Sequence, residues 1–364
     1  MDRTRFEITS KQLIFIIVGA QVATAFLSLP RIAAAEAGHH AWLAVIIGAV
    51  FPLAAILFTV ALLNRFQDAD FVNVSHQLFG KFLGTLMVLI FVVYVVIFQS
   101  IVIRIFSEIT CVFMLPTTPT CMVSLACTLS VVYAVSKGAK VIGRLNEFLF
   151  YILIVDILMI VAISIGKGSY LNLLPLGEID INGLMQGSMK MAYAYAGSEV
   201  LLITYAMVQH RHEVLKASLI ALGITLLIYL LVVIAGLMVF GHIGVQFITW
   251  PVITLLKIPY SFALGRLEIV FLLLWVSLGV KPVMNLGMTA SYAAVRTFNL
   301  DISRFYAWIA LAIGAGIYVL SLLPKNLLQV FVLADYAGYT FLAVSLGYPL
   351  LYLLVSAVRR PRSS

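Results

Sequence analysis

The sequence predicts an all-α membrane protein of ten transmembrane helices, arranged as two sets of five that enter the membrane from opposite sides. Three observations predict it. Of 364 residues, 63% are hydrophobic and only 10% are charged, against about 25% charged in an ordinary soluble domain. Ten apolar runs each approach or exceed the roughly 20 residues that cross about 30 Å of hydrocarbon. They fall near 11–36, 41–63, 82–110, 120–136, 146–166, 186–207, 215–239, 267–293, 304–323 and 328–357. The first and sixth runs also carry polar and helix-breaking clusters that a plain lipid-facing helix has no use for.

In chain order, the polar opening MDRTRFEITSKQ leads into an apolar run longer than a signal-peptide core, with no small-residue cleavage site after it, so it is expected to stay attached. In the first run, Pro30 cannot donate to the carbonyl of Phe26, and Leu29 before it is biased away from helical dihedrals. The spacing predicts a helix that opens between Thr24 and Pro30. Pro52 in the second run and Pro349 in the tenth predict kinks. The fourth run is the shortest. Between the fifth and sixth runs, the 167–185 connection contains LLPLGEIDING, which reads as a loop or short surface helix. The 239–266 connection is apolar for a loop and holds Trp250, Pro251 and Pro259, so it is expected to lie along the outer surface as an interfacial helix.

Charge predicts the orientation. Of 23 Lys and Arg, seven fall on one side of the ten-run layout, Arg31, Arg104, Lys167, Lys190, Lys257, Arg266 and Lys325. The other sixteen fall on the opposite side, from Arg3, Arg5 and Lys11 through Lys281 and Arg296 to Arg359, Arg360 and Arg362. This excess places both termini in the cytoplasm. Because each half holds an odd number of runs, residues 8–166 and 186–357 form inverted repeats within a single transmembrane domain, 1–364. The irregular clusters then occupy corresponding places in the first helix of each half, the pattern of a binding site at the repeat interface.

Irregular backbone at membrane depth survives where protein or a water-filled cavity satisfies it. In the first run Gln21, Thr24 and Ser28 supply polar groups, and Ala23 and Ala25 leave room for another backbone or a small ligand. An opened helix there would aim free backbone amides at a carboxylate; the bland alternative is a proline-kinked packing helix. In the sixth run, Tyr193, Tyr195, Gly197, Ser198 and Glu199 alternate polar handle and small residue within about two turns. Glu199 demands a partner, because a charge at the bilayer centre costs at least about 2.5–3.5 kcal/mol. It reads as a hydrogen-bond anchor for the broken helix or as a ligand or proton site, and the two tyrosines can equally be packing aromatics. Asp156, isolated in YILIVDILMIV, can face the first helix as a proton or cation site, or pair with a basic group across the bundle. Tyr94 and Gln99 of the third run are deeper candidates for the cavity, while Arg104 and Glu108, four apart, can pair near the outer end. Lys281 lies about 22 Å past Arg266 at about 1.5 Å per residue, close enough to the inner boundary to snorkel. Asp335 can line the outer passage or pair with Lys325.

The remaining classes are excluded on simple grounds. The chain has no GxSxG, GxxxxGKS/T or HExxH motif and no Ser/His/Asp set, so it is expected not to be an enzyme and to need no cofactor. No histidine stands at metal-ligand spacing, and no basic stripe with interleaved aromatics suits a nucleic acid. Cys111, Cys121 and Cys127 read as unpaired residues, although Cys111 and Cys121 can meet across the segment between them.

Several short stretches resemble one family, the B-subunit permease-like proteins of endospore germinant receptors, within the amino acid–polyamine–organocation superfamily. They are ITSKQL at 8–13, LSLP at 27–30, AGHHAW at 37–42, YAGSEVLL at 195–202 and the basic turn at 211–217. The resemblance implies a LeuT-like fold with helices 1 and 6 broken. It implies residence in the spore inner membrane, assembly with a large A subunit and a lipoprotein C subunit, and sensing of small germinants such as amino acids. The ligand would lie between the break from Thr24 through Ala25 and Phe26 to Ser28 and the break from Tyr195 to Glu199. Ala196 stands where the family often has glycine, and Tyr205-Ala206-Met207 replaces a stretch where proline is often found.

Overall fold

A backbone surrounded by hydrocarbon has no water to bond to, so its amides and carbonyls must pair within helices. The computed structural model describes residues 5–22, 24–66, 70–174, 177, 180–258 and 267–358. Among these it is helical throughout, its one extended pairing being an isolated bridge between Ile8 and Val208. Ala23, Pro259, Arg266, Arg3, Arg359, Arg360 and Arg362 lie outside the described residues, as does part of the 167–185 connection.

The helices run α1 Ser10–Gln21, α2 Leu29–Ala37, α3 Ala41–Gly48, α4 Val50–Leu63, α5 Phe71–Phe113, α6 Thr120–Ser136, α7 Ala139–Lys167 and α8 Ile181–Ala194. There follow α9 Leu201–Thr204, α10 Val214–Gly244, α11 Pro251–Leu256, α12 Leu267–Gly279, α13 Lys281–Thr297, α14 Ile302–Ser321, α15 Leu327–Leu342 and α16 Tyr348–Val358. Among the described residues, seven helical stretches are long and apolar enough to cross a membrane, and 120–136 and 198–207 are shorter apolar helices. The protein is a multi-pass, all-α membrane protein.

Local chemistry explains where these helices start and bend. Thr9 caps α1: its hydroxyl accepts from Gln12 N, while Gln12 Oε1 accepts from Thr9 N at 3.0 Å, a reciprocal capping box. The second run divides at Ala49, where the ring of Pro52 cannot sit against an intact helical turn at Gly48. The tenth opens into a π turn over Ala343–Gly347 just before Pro349. Both expected proline kinks are present. α5 begins eleven residues before the expected 82 and bends at Gly80 (φ +79°), and α10 bends at Gly241 (φ +69°).

Three expectations need correction. α11 is not a surface helix: Pro251, Val252, Ile253, Leu255 and Leu256 are buried, and the segment packs against α7, α10 and α2. Trp250 lies against Phe331, ring centroids 5.9 Å apart, because its apolar face finds a protein groove in place of headgroups. Lys281 does not snorkel. It opens α13 at the joint with α12, midway along the apolar stretch 267–297, and is 1% exposed. Among the described residues Asp335 forms no ion pair with Lys325, and its side chain is exposed, so of its two expected roles only the pairing is overturned. The cysteines are free, as expected.

α1 packs among α7, α10 and α13, while α2 and α3 pack against α8. The N-terminal segment closes one end of this bundle. Ile8 N donates to Met207 O at 2.9 Å, and Gln209 N donates to Ile8 O at 3.0 Å.

Candidate functional site

The first run is cut between Gln21 and Leu29. Val22 turns extended (ψ 102°), a short 3₁₀ turn covers Ala25–Leu27, and α2 restarts with Pro30 in its first turn, where a missing N–H costs nothing. The sixth run is cut between Ala194 and Leu201. Gly197 adopts φ +122°, a region closed to side-chain-bearing residues, and a Cβ there would meet Ala20 C and O at 2.6 Å. Glycine is required twice at this position, by its dihedral and by the approach of α1.

The two cuts are tied together. Gln21 Nε2 donates to Tyr195 O at 3.1 Å. The Tyr229 hydroxyl, on α10, is shared between the carbonyls of Gln21 and Ala194, each at 2.8 Å. These are the last residues of α1 and α8. Orphan carbonyls gather at a helix C-terminus with a partial negative charge, so one buried donor serves two helix ends. The Tyr195 hydroxyl donates to Val45 O at 3.1 Å, pinning the second cut to α3.

Glu199, 2% exposed, is held on both oxygens. Tyr94 donates its hydroxyl to Oε1 at 2.7 Å, and Gly197 donates its backbone N–H to Oε2 at 2.8 Å. The carboxyl group therefore stabilises the glycine turn from within it. Of the two roles open to it from the sequence, the anchoring contacts are present.

The other expected residues divide. Thr24, Phe26, Ser28 and Ser198 are buried at the cuts, with the Ser28 hydroxyl turned back to Ala25 O at 3.1 Å. Gln21 Oε1 and Ser198 Oγ are buried without a hydrogen-bond partner, one on each cut. Gln99, wholly buried with both amide atoms unpartnered, lies five residues and so about 140° around α5 from Tyr94, and no hydrogen bond joins it to Glu199. Tyr193 instead packs on Tyr339, ring centroids 5.5 Å apart. Arg104 and Glu108 pair at 2.5 Å as expected. Asp156 is fully buried, both its carboxyl oxygens are without a hydrogen-bond partner, and among the described residues no ion pair closes on it.

Sequence reasoning missed Tyr229 and a pair of asparagines. Asn146 on α7 and Asn285 on α13 exchange amide bonds at 2.7 and 3.1 Å, and Asn285 also donates to Ile16 O at 3.1 Å. This clamps α1 to two neighbouring helices just before its cut. The signal for Asn285 was visible as a lone amide inside an apolar run, which seldom stands at membrane depth without a partner, whereas Asn146, between Arg144 and Glu147 at the start of its run, gave none. Near the other end of the sixth run, a cavity of about 950 Å³ is lined by Arg5, Asp70, Gln209, Arg211 and Arg296, with Arg296 Nε 3.0 Å from Asp70 Oδ2.

Two helices are thus cut at facing positions and joined by shared hydrogen bonds, and each cut carries an unpartnered buried polar atom. Among known proteins, a family model described as spore germination protein matches residues 7–330. The chain belongs to the spore germination protein family. It is similar to spore germination protein YndE of Bacillus subtilis (strain 168), 27% identical over 97% of each chain. It is also similar to spore germination protein B2 of that organism, 23% identical over 94% of each chain. Spore germination protein GerQB of Bacillus cereus is 21% identical, covering 97% of this chain and 96% of the relative. The likeness spans both cuts, so members of this family are the right frame for reading them.

Proposed function

We propose that this chain is the membrane subunit of a nutrient germinant receptor, binding a small amino acid or similar solute between its two helix cuts and triggering spore germination. The observation that carries the reading is the linkage of the cuts through Gln21, Tyr195 and Tyr229, with Gln21 Oε1 and Ser198 Oγ left to be satisfied. A ligand amine or carboxylate would meet these atoms and the free amides of the second half-helices. On this reading the chain has ten spans in a LeuT-like inverted repeat, 8–166 and 186–357, within the amino acid–polyamine–organocation superfamily. Both termini are cytoplasmic and the protein resides in the spore inner membrane. It is not an enzyme, and it works with an A subunit and a lipoprotein C subunit.

Radiolabelled amino acids, assayed side by side for binding to purified protein and for uptake into proteoliposomes, test this. Saturable binding without uptake is expected for a sensor. Absence of both for every amino acid would count against it, leaving a scaffold for partner subunits. The second reading, a proton-coupled amino acid permease, is favoured by the buried carboxyl groups of Asp156 and Glu199; concentrative uptake driven by a pH gradient would select it.

A further inference from the structure

His39 and His242 come together from distant parts of the chain, their ring centroids 3.4 Å apart and their planes tilted by 42°. Each directly follows a glycine at positive φ, Gly38 at +54° and Gly241 at +69°, a region that side-chain-bearing residues rarely adopt. A Cβ on Gly38 would lie 4.0 Å from His242 Cδ2, so the second ring also covers that turn. His39 stands in the 3₁₀ turn Gly38–His40 that joins α2 to α3, and His242 stands on α10 just past its bend. This is the far end of α10 from Glu213, which accepts from the Ser10 hydroxyl. Both histidines are half-buried, so protons reach the rings while water screens them only in part.

The contact fastens the half-helix that follows the first cut. α2 is seated at its start, where a Cβ on Gly236 would meet Pro30 Cβ at 2.5 Å. Toward its other end, Gln246 Nε2 donates to Ala34 O and His242 O, each at 3.0 Å, and the two rings complete the joint. The surrounding charges are engaged elsewhere. Glu36 on α2 is paired with Lys190 of α8 at 2.5 Å, and Arg31 stands over the Phe331 ring. Asp180 caps α8, Lys167 ends α7 with Tyr170 in the turn beyond it, and Lys257 after α11 stands over Phe113. α1, α3 and α4 bring no charged group to this end. His40, beside the pair, is 6% exposed with Nε2 unpartnered. Among the described residues no carboxylate closes an ion pair with either ring. One proton therefore places a cation beside a neutral ring, whereas a second sets two like charges face to face with no counter-charge in contact.

We propose that His39 and His242 form a pH-operated latch between the α2–α3 elbow and α10, closed while at most one ring is charged and opened by the second proton. Opening frees the end of α2 while its start stays seated on Gly236, so acid acts on the half-helix next to the first cut. The latch itself requires no amino acid and rests on the reading above only for its biological use.

Dipolar electron paramagnetic resonance tests it on the full chain in lipid nanodiscs without any ligand. The three free cysteines are replaced by serine, and spin labels are placed through Ala35→Cys and Ile243→Cys, both exposed positions. On acidification from about pH 8 to about pH 5, which brackets the ordinary histidine value, a population with a longer separation between the labels is expected. It should be absent in His39→Phe, which keeps a stacked ring but allows only one charge. Unchanged separation in the chain that keeps both histidines would overturn the proposal, as would an acid-induced lengthening that persists in His39→Phe. Nitrogen-15 spectra of histidine in the chain with its native cysteines give a second readout, assigned through His39→Phe and His242→Phe. The two rings should take up protons in two separated steps; uptake by both in one common step would overturn the latch. Failure to bind any amino acid would leave all these results unchanged, so the two readings fail separately.

Discussion

The Tyr94 hydroxyl donates to Glu199 Oε1 at 2.7 Å, joining α5 to the turn that interrupts the sixth apolar run. The same carboxyl group accepts the Gly197 N–H on its other oxygen, so one side chain shapes the turn and fastens it to a long neighbouring helix. Removing either partner leaves a buried polar group without its bond.

Tyr94→Phe is expected to destabilise the protein by about 1–3 kcal/mol, the cost of one unsatisfied buried group. Glu199→Gln should cost a comparable amount, since its amide presents an N–H to one of two donors. In a double-mutant cycle read by thermal unfolding in detergent, the two changes should be non-additive by about 0.5–3 kcal/mol. Simple additivity would show that the contact does not hold the turn.

Gly197→Ala should be more damaging, by about 2–4 kcal/mol, because it combines a forced positive φ with a Cβ placed 2.6 Å from Ala20 C and O. Ala196→Gly, one position earlier, should be tolerated. Paired melting curves check this, and equal tolerance at the two positions would contradict the close approach of α1.

Tyr229→Phe keeps the ring against Tyr195, centroids 4.9 Å apart, but removes the donor shared by Gln21 O and Ala194 O. A loss of about 1–3 kcal/mol is expected. Binding of the amino acid selected in the binding assay should weaken with it, because the two cuts lose their common tie. A variant as stable as the wild type with unchanged binding would remove Tyr229 from the site.

Outside the membrane, Asp301 caps α14 and is held below its ordinary carboxylate value, chiefly by the Ser303 hydroxyl and then by the Ser303 backbone N–H. A lowered folded value means the stabilisation is fully present above the unfolded value and is lost as pH falls through the folded one. The melting-temperature gap between wild type and Asp301→Ala should therefore narrow in acid. Asp301→Asn, which caps without titrating, should show a gap to Asp301→Ala that stays level over the same range.

Much of this molecule was legible in one dimension. The Leu29-Pro30 step and Ala196-Gly197-Ser198-Glu199 announced both cuts, because a missing amide or an absent Cβ acts on its own turn of backbone whatever surrounds it. Pro52 and Pro349 announced their bends for the same reason. Lys281 was misread: distance along a helix locates a residue by depth only when the helix is straight and its start is known, and here two helices meet at Val280. Trp250 and α11 were misread because an apolar segment carries the same pattern whether its face meets headgroups or a protein groove.

The sequence by itself determined that the chain crosses a membrane repeatedly, where its backbone breaks, and that polar groups lie at those breaks, since composition and local dihedral preference need no partner. Only the tertiary structure decided that Tyr229 serves both broken ends, that Asn146 and Asn285 clamp α1, and that α11 is buried against α7, α10 and α2. Those facts depend on which faces of separate helices meet, and helix-to-helix facing is set by the packing of side chains from distant parts of the chain.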